Sequence, residues 1–246
     1  MPYDPDFALA FCIFLAAILY SSVGHAGASA YIALMALFGI PAAVMRPTAL
    51  VLNIIVASFA SARFVHAGLF RWRTLWPFLI GALPMAYVGG SIVLPGHVYR
   101  PMVGVILWLS ALRLLWPRDL KVITEWRDPP LALAIPAGAA IGLLSGLTGT
   151  GGGIFLSPLL LFLGWSETRK ASGVAAVFIL CNSISGLAGN YASLNQLPDQ
   201  LPMFAIAALL GAGIGTTLGI RLPTRMILKS LGLVLIVAGA KMIGVY

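Results

Sequence analysis

Apolar runs of about 18 or more residues recur along nearly the whole chain, each closed by a short polar or glycine-rich interruption. The first half opens with an apolar pair at about 7–22 and 29–39, and longer runs follow near 42–62, 74–93 and 98–116. The second half repeats the order, with a pair at about 131–146 and 154–164 and then runs near 171–190, 201–220 and 227–244. No train of ten-residue segments with alternating polarity is present, so a membrane barrel is excluded. The pattern predicts an all-α, polytopic transmembrane helical protein. Trp116 to Pro130 ("WPRDLKVITEWRDPP") is the most polar stretch, and it divides the chain into a first transmembrane repeat (1–116), a cytoplasmic linker (117–130) and a second repeat (131–246).

The paired segments are too short for ordinary spans. Those of the second half, 131–146 and 154–164, fall below the roughly 20 residues that a full crossing needs. They meet at "GLTGTGGGIFLSP", Gly146 to Pro158, and the first pair meets at "SSVGHAGASAYIA", Ser21 to Ala33. Irregular backbone inside a bilayer survives only where protein or a watery cavity covers its polar groups. Glycine allows the backbone angles of such a break and the close approach of another group. A helix starting at Gly153 would aim its free N–H groups and the positive end of its dipole into the opening. The candidate anion site is therefore Thr148, Gly149, Thr150, Gly151, Gly152 and Gly153 from the second break, with Gly24, His25, Gly27 and Ser29 from the first. Thr48, Asn53, Ser172 and Asn182, on the helices that follow each break, join it; Ser183 and Ser185 lie nearby. Ser and Asn also serve as interhelical links in membranes, and Gly81, Gly89, Gly211, Gly215 and Gly219 read as close-packing glycines.

The halves match at an offset of ~125 residues. Gly24, Gly27, Leu34 and Gly39 fall on Gly149, Gly152, Leu159 and Gly164, and after a one-residue gap Arg46 and Thr48 fall on Lys170 and Ser172. Later, Gly81 and Gly89 meet Gly211 and Gly219, and Leu94-Pro95 meets Leu222-Pro223.

Charge adds orientation. With the Arg63/Arg71/Arg73 loop and the linker inside, five segments per repeat also put Arg169, Lys170, Arg221, Arg225 and Lys229 inside, and leave Arg46, Arg100 and Lys241 outside. The loop matching Arg63–Arg73 is "NYASLNQLPDQ", which has no positive charge, so equivalent loops face opposite sides. Two five-segment inverted repeats result, with broken helices at the glycine motifs and both termini outside a cell membrane, in bacteria the inner one. The net charge of +8 is dispersed between spans and does not indicate nucleic acid. Arg46 and Lys170, at equivalent helix starts, read as interfacial anchors or as charges drawing anions to the mouths. Trp72, Trp76, Trp116 and Trp126 read as interface anchors.

The acids Asp4, Asp6, Asp119, Glu125, Asp128, Glu167 and Asp199 all map to loops, termini or span edges. Intramembrane carboxylates are the usual handles for protons and sodium, and an acid-free, basic pathway suits an anion. His25 is the titratable group best placed for proton coupling; Tyr20 and Tyr31 flank it. Cys12 and Cys181 lie in apolar runs without metal-ligand spacing, and no cofactor is implied. Ser29 beside His25 raises the remote alternative of an intramembrane serine hydrolase, but no oxyanion site accompanies it, and the expectation is a protein that is not an enzyme. A passive anion channel is the nearer alternative, told apart by turnover. Homo-oligomerisation is left open.

"GLTGTGGGIFLSPLLLFLGW" followed by "RKASGVAAVF", with the looser "GHAGASAYIALMALFGIP", resembles the sulfite exporter TauE/SafE family of membrane permeases over essentially the whole chain. The resemblance implies a permease for small anions such as sulfite, sulfonates or related organic acids. His25 and Ala26 depart from the family's looser first motif, so the substrate is not carried over with it.

Overall fold

The computed structural model describes residues 5–22, 24–115, 128–219, 236, 239–240 and 243–244. Among them the chain is helical: α1 (Pro5–Ser21), α2 (Ala28–Leu37), α3 (Ala42–His66), α4 (Trp72–Ser91), α5 (Gly96–Leu115), α6 (Leu131–Thr148), α7 (Gly153–Phe162), α8 (Thr168–Gly189) and α9 (Leu201–Gly219). A 3₁₀ segment, Tyr191–Gln196, precedes α9 and was not foreseen from the pattern. Nearly all of the last apolar run, 227–244, and most of the linker lie outside the described residues, as do Arg221, Arg225 and Lys229. The expected paired segments are present as separate helices, α1/α2 and α6/α7. Four described helices are long and apolar enough to cross a membrane: Ala42–His66, Leu131–Thr148, Arg169–Gly189 and Leu201–Leu218.

Glycine ends the helices where the sequence placed it. Gly24 is left-handed (φ 77°), and the amides of Gly24 and His25 bond back to the carbonyls of Ser21 and Tyr20, which closes α1 with a Schellman turn. Gly39 and Gly164, matched in the self-comparison, close α2 and α7 by the same turn at φ 79° and 73°.

The helices pair across the two halves. α4 lies along α6, α9 lies along α1, and α3 crosses α8. The α4–α6 seam is backbone against backbone: a methyl group on Gly142 would overlap the Ala82 carbonyl, one on Gly146 the Ala86 carbonyl, and one on Gly81 the Ile135 carbonyl. Gly211 and Gly215 of α9 are seated likewise on the Phe14 and Ile18 carbonyls of α1. Without a hydrophobic force between helices in lipid, close approach and dispersion hold such seams together. Two apolar clusters flank the centre, one around α1, α2, α3 and α9 and one around α4, α6, α7 and α8. Phe7, Phe11, Ile206 and Leu210 project from the α1–α9 pair as exposed apolar side chains, an outer face suited to lipid.

Candidate functional site

Both predicted interruptions exist. α1 stops at Ser21 and α2 starts at Ala28, with Gly27 left-handed at φ 105° just before it. α6 stops at Thr148, Gly149 caps it at φ 81°, and α7 starts at Gly153 after Gly151 and Gly152 at φ 77° and 79°. No side chain caps α7; the Phe155 and Leu156 amides bond back to the Gly152 carbonyl, while those of Gly153 and Ile154, its first two residues, have no intrahelical acceptor. Three successive residues after Thr150 therefore carry either positive φ or a free helix start, a conformation that explains the glycine run directly.

The two breaks meet. The imidazole of His25 lies against Gly153, and its Nε2 is 2.9 Å from the Ser157 Oγ on α7. Asn53 on α3 accepts the Ala28 N–H at 3.1 Å, at the first residue of α2, and its Nδ2 donates to the Ser183 Oγ on α8 at 3.3 Å. The same Nδ2 faces Gly151 so closely that a methyl group there would overlap it. Asn182 stands beside Gly152, whose Cβ would come within 2.9 Å of Nδ2. Asn182 is 0 % exposed, and neither its Nδ2 nor its Oδ1 has a hydrogen-bond partner among the described residues. A buried, unpaired amide costs about 1–3 kcal/mol, so its presence against the glycines calls for an explanation beyond packing.

Other predicted residues are engaged locally. Ser29 bonds to the Tyr20 hydroxyl at 2.8 Å, while Tyr31 donates to the Ala26 carbonyl at 2.6 Å. Ser29 and His25 thus bond to different partners, Tyr20 and Ser157. Thr148 donates to the Leu144 carbonyl at 2.7 Å, which leaves Thr150 to donate to the Thr148 Oγ1 at 2.9 Å. Both threonine hydroxyl hydrogens are held inside the break as folded. Thr48 is buried with its hydroxyl unpartnered. Ser172 lies under Gly24, whose Cβ would overlap its backbone. Ser185 donates to the Leu83 carbonyl at 2.6 Å and links α8 to α4.

Arg46 and Lys170, matched in sequence, differ in space. Lys170 pairs with Glu167 at 2.5 Å at a half-exposed helix start. Arg46 is only 6 % exposed, and donates to the carbonyls of Ile92, Gly89 and Gly90 at the end of α4. A cation at a helix C-terminus answers both the orphan carbonyls and the dipole. Arg46 also packs on the second break, because a Cβ on Gly149 would lie 3.2 Å from its Cγ. Tyr99 on α5 donates to the Thr148 carbonyl at 2.9 Å. Ser157, Tyr99 and the buried state of Arg46 were missed from sequence, since one serine or tyrosine in a long apolar run carries no spacing signal.

A cavity of about 720 Å³ lies above this layer, lined by the start of α3, the α4–α5 connection and the 3₁₀ segment; Arg46 and Tyr99 are in its wall, and the break glycines are not. Arg46, Arg100 and the loop after α8, which has no positive charge, therefore share one end of the bundle. At the other end of α3, Leu69 packs on Gly173 and Arg71 pairs with Asp128 at 2.9 Å. Among the described residues no group of His, Cys, Asp or Glu is arranged to hold a metal ion.

The chain is 41% identical over 239 residues to a "Probable membrane transporter protein", y4hK, of Sinorhizobium fredii, covering 96% of this chain and 97% of that one. It is 26% identical over 155 residues to the "Probable membrane transporter protein MJ0441" of Methanocaldococcus jannaschii, covering 61% of this chain and 57% of that one. MamO of Paramagnetospirillum magneticum, also a "Probable membrane transporter protein", is 24% identical over 233 residues, covering 77% of this chain and 36% of that one. No solved structure matches the chain. The family described as Sulfite exporter TauE/SafE matches residues 9–242. Its glycine-broken helices, its apolar spans and this near-complete match together place the chain in the sulfite exporter TauE/SafE family of membrane transporters.

Proposed function

We propose that the protein is an alternating-access permease for a small anion, with its binding site where the two breaks meet. The observation that carries this reading is Asn182, a buried amide without a hydrogen-bond partner set against Gly152 at the uncapped start of α7. A small oxyanion there would take the free amides of α7, the Asn182 Nδ2 and, from the first break, the His25 side. Sulfite, a sulfonate or a short organic acid is the substrate class. The reciprocal pairing of α4 with α6 and α1 with α9 supports two inverted repeats that rock about the α3–α8 crossing. The cell membrane is the proposed site of action, with both termini and the Arg46–Arg100 end outside.

The test is a thermal-shift screen of purified protein against sulfite, sulfate, sulfonates and short carboxylates. An anion that binds the folded state stabilises it by ~2.7 kcal/mol at a hundredfold excess over Kd. In reconstituted vesicles the same anion should be transported, and Gly152→Leu should abolish flux while folded protein remains in the membrane. Normal flux through Gly152→Leu overturns the assignment.

A further inference from the structure

The cavity at the Arg46–Arg100 end has a wall composition that the transport site does not require. Its basic lining residues are Arg46, His97 and Arg100, and no carboxylate is among the lining residues. Arg46 has no carboxylate partner among the described residues; its charge meets only main-chain carbonyls, and its Nε is buried without an acceptor. Asn190, at the end of α8, lines the same cavity at 7 % exposure, and its Nδ2 also lacks a partner. Arg46 and Asn190, from different helices, thus share the wall of one basic cavity with no carboxylate among its lining residues, a setting that favours an acceptor-rich ligand.

We propose that this cavity is a second binding site, a vestibule that captures a small oxyanion before it reaches the breaks. The proposal rests on the anion-permease reading for its ligand class and names the route to that same centre. Arg46 and Asn190 line the inner wall that receives the anion, and the exposed Arg100 and His97 gather it from solution. The floor is already in place. Arg46 packs on Gly149 and Tyr99 holds the Thr148 carbonyl, so one layer of side chains separates the vestibule from the second break. A small hydrated oxyanion has room in a cavity of about 720 Å³.

The test reads the vestibule without reading transport. In full-length protein carrying Cys12→Ala and Cys181→Ala, Ala192→Cys places a thiol in the exposed cavity wall. Its labelling by an anionic and a cationic methanethiosulfonate of similar size is compared at low salt. The anionic reagent should gain by roughly threefold or more over the cationic one, relative to their rates with a free thiol, because a basic concave wall concentrates anions. Arg100→Gln, an exposed position, should reduce that preference. Sulfate should slow labelling saturably, and Asn190→Leu should move the half-protecting concentration upward several-fold. Arg46→Lys should weaken protection as well; if it does not fold, the Arg100 and Asn190 variants decide alone. Equal rates for the two reagents, or a preference that sulfate does not protect against, overturns the vestibule. A protein that labels as expected but passes no anion in vesicles keeps the vestibule and loses the permease reading; normal flux without charge-selective labelling does the reverse.

Discussion

The His25 Nε2 lies 2.9 Å from the Ser157 Oγ, and this hydrogen bond joins the first break to the helix that the second break begins. The residues are 132 positions apart, so the bond forms only when the two halves close on each other. Ser157→Ala removes it. A loss of about 1–2 kcal/mol in stability is expected, read as a lower melting temperature of the purified protein. Flux should fall more than stability does. A variant with unchanged melting and unchanged flux would mean that the bond is incidental.

Asn182→Leu separates stability from function. The native amide is fully buried without partners, so an apolar side chain of similar size removes a penalty rather than an interaction. Melting should stay level or rise, while the shift induced by the bound anion disappears. A clear drop in melting temperature would instead make Asn182 a packing residue.

Asn53→Ala should act in the opposite sense. It strips the acceptor from the Ala28 amide and the donor from Ser183, with a cost of about 1–3 kcal/mol. Chemical denaturation of the detergent-solubilised protein measures it.

The α1–α9 seam makes a sharp contrast between two glycines of one helix. Gly211→Leu drives a side chain into the Phe14 carbonyl, whereas Gly213 has nothing near its missing Cβ. The first change should destabilise by about 1–3 kcal/mol or more, and the second should be nearly neutral. Equal behaviour in a melting assay would contradict the seam.

Lys170→Gln breaks the pair with Glu167, half-exposed at the start of α8. Such pairs contribute under about 1 kcal/mol and are screened by salt. Little change in either stability or anion-induced shift is expected in the same screen.

Much of this architecture was legible in the chain because membranes demand few things loudly. Apolar length gave the helices within a few residues, and the glycine run at Gly151–Gly153 announced a break that no continuous helix would tolerate. The matched glycines Gly24/Gly149, Gly27/Gly152 and Gly39/Gly164 all have positive φ, so the offset carried conformational meaning. What stayed hidden depends on contacts between distant segments. Nothing near Arg46 in sequence says that its guanidinium turns inward to the α4 carbonyls rather than outward to water. Ser157 sits in "GIFLSPLLLF", where a hydroxyl commonly bonds its own helix. Thr148 and Thr150 looked like free donors, and only the fold shows them bonded to each other and to Leu144.

Gly24 rests on the backbone of Ser172 in α8, and Gly149 rests on that of Arg46 in α3. Each interrupted hairpin is thus cradled by the long helix of the opposite half. In the rocking motion proposed above, a shift of α3 against α8 would bear on both hairpins at once, like two meshed gears. A side chain larger than hydrogen at either glycine would press on the long helix of the opposite half, at two points that belong to different halves of the chain.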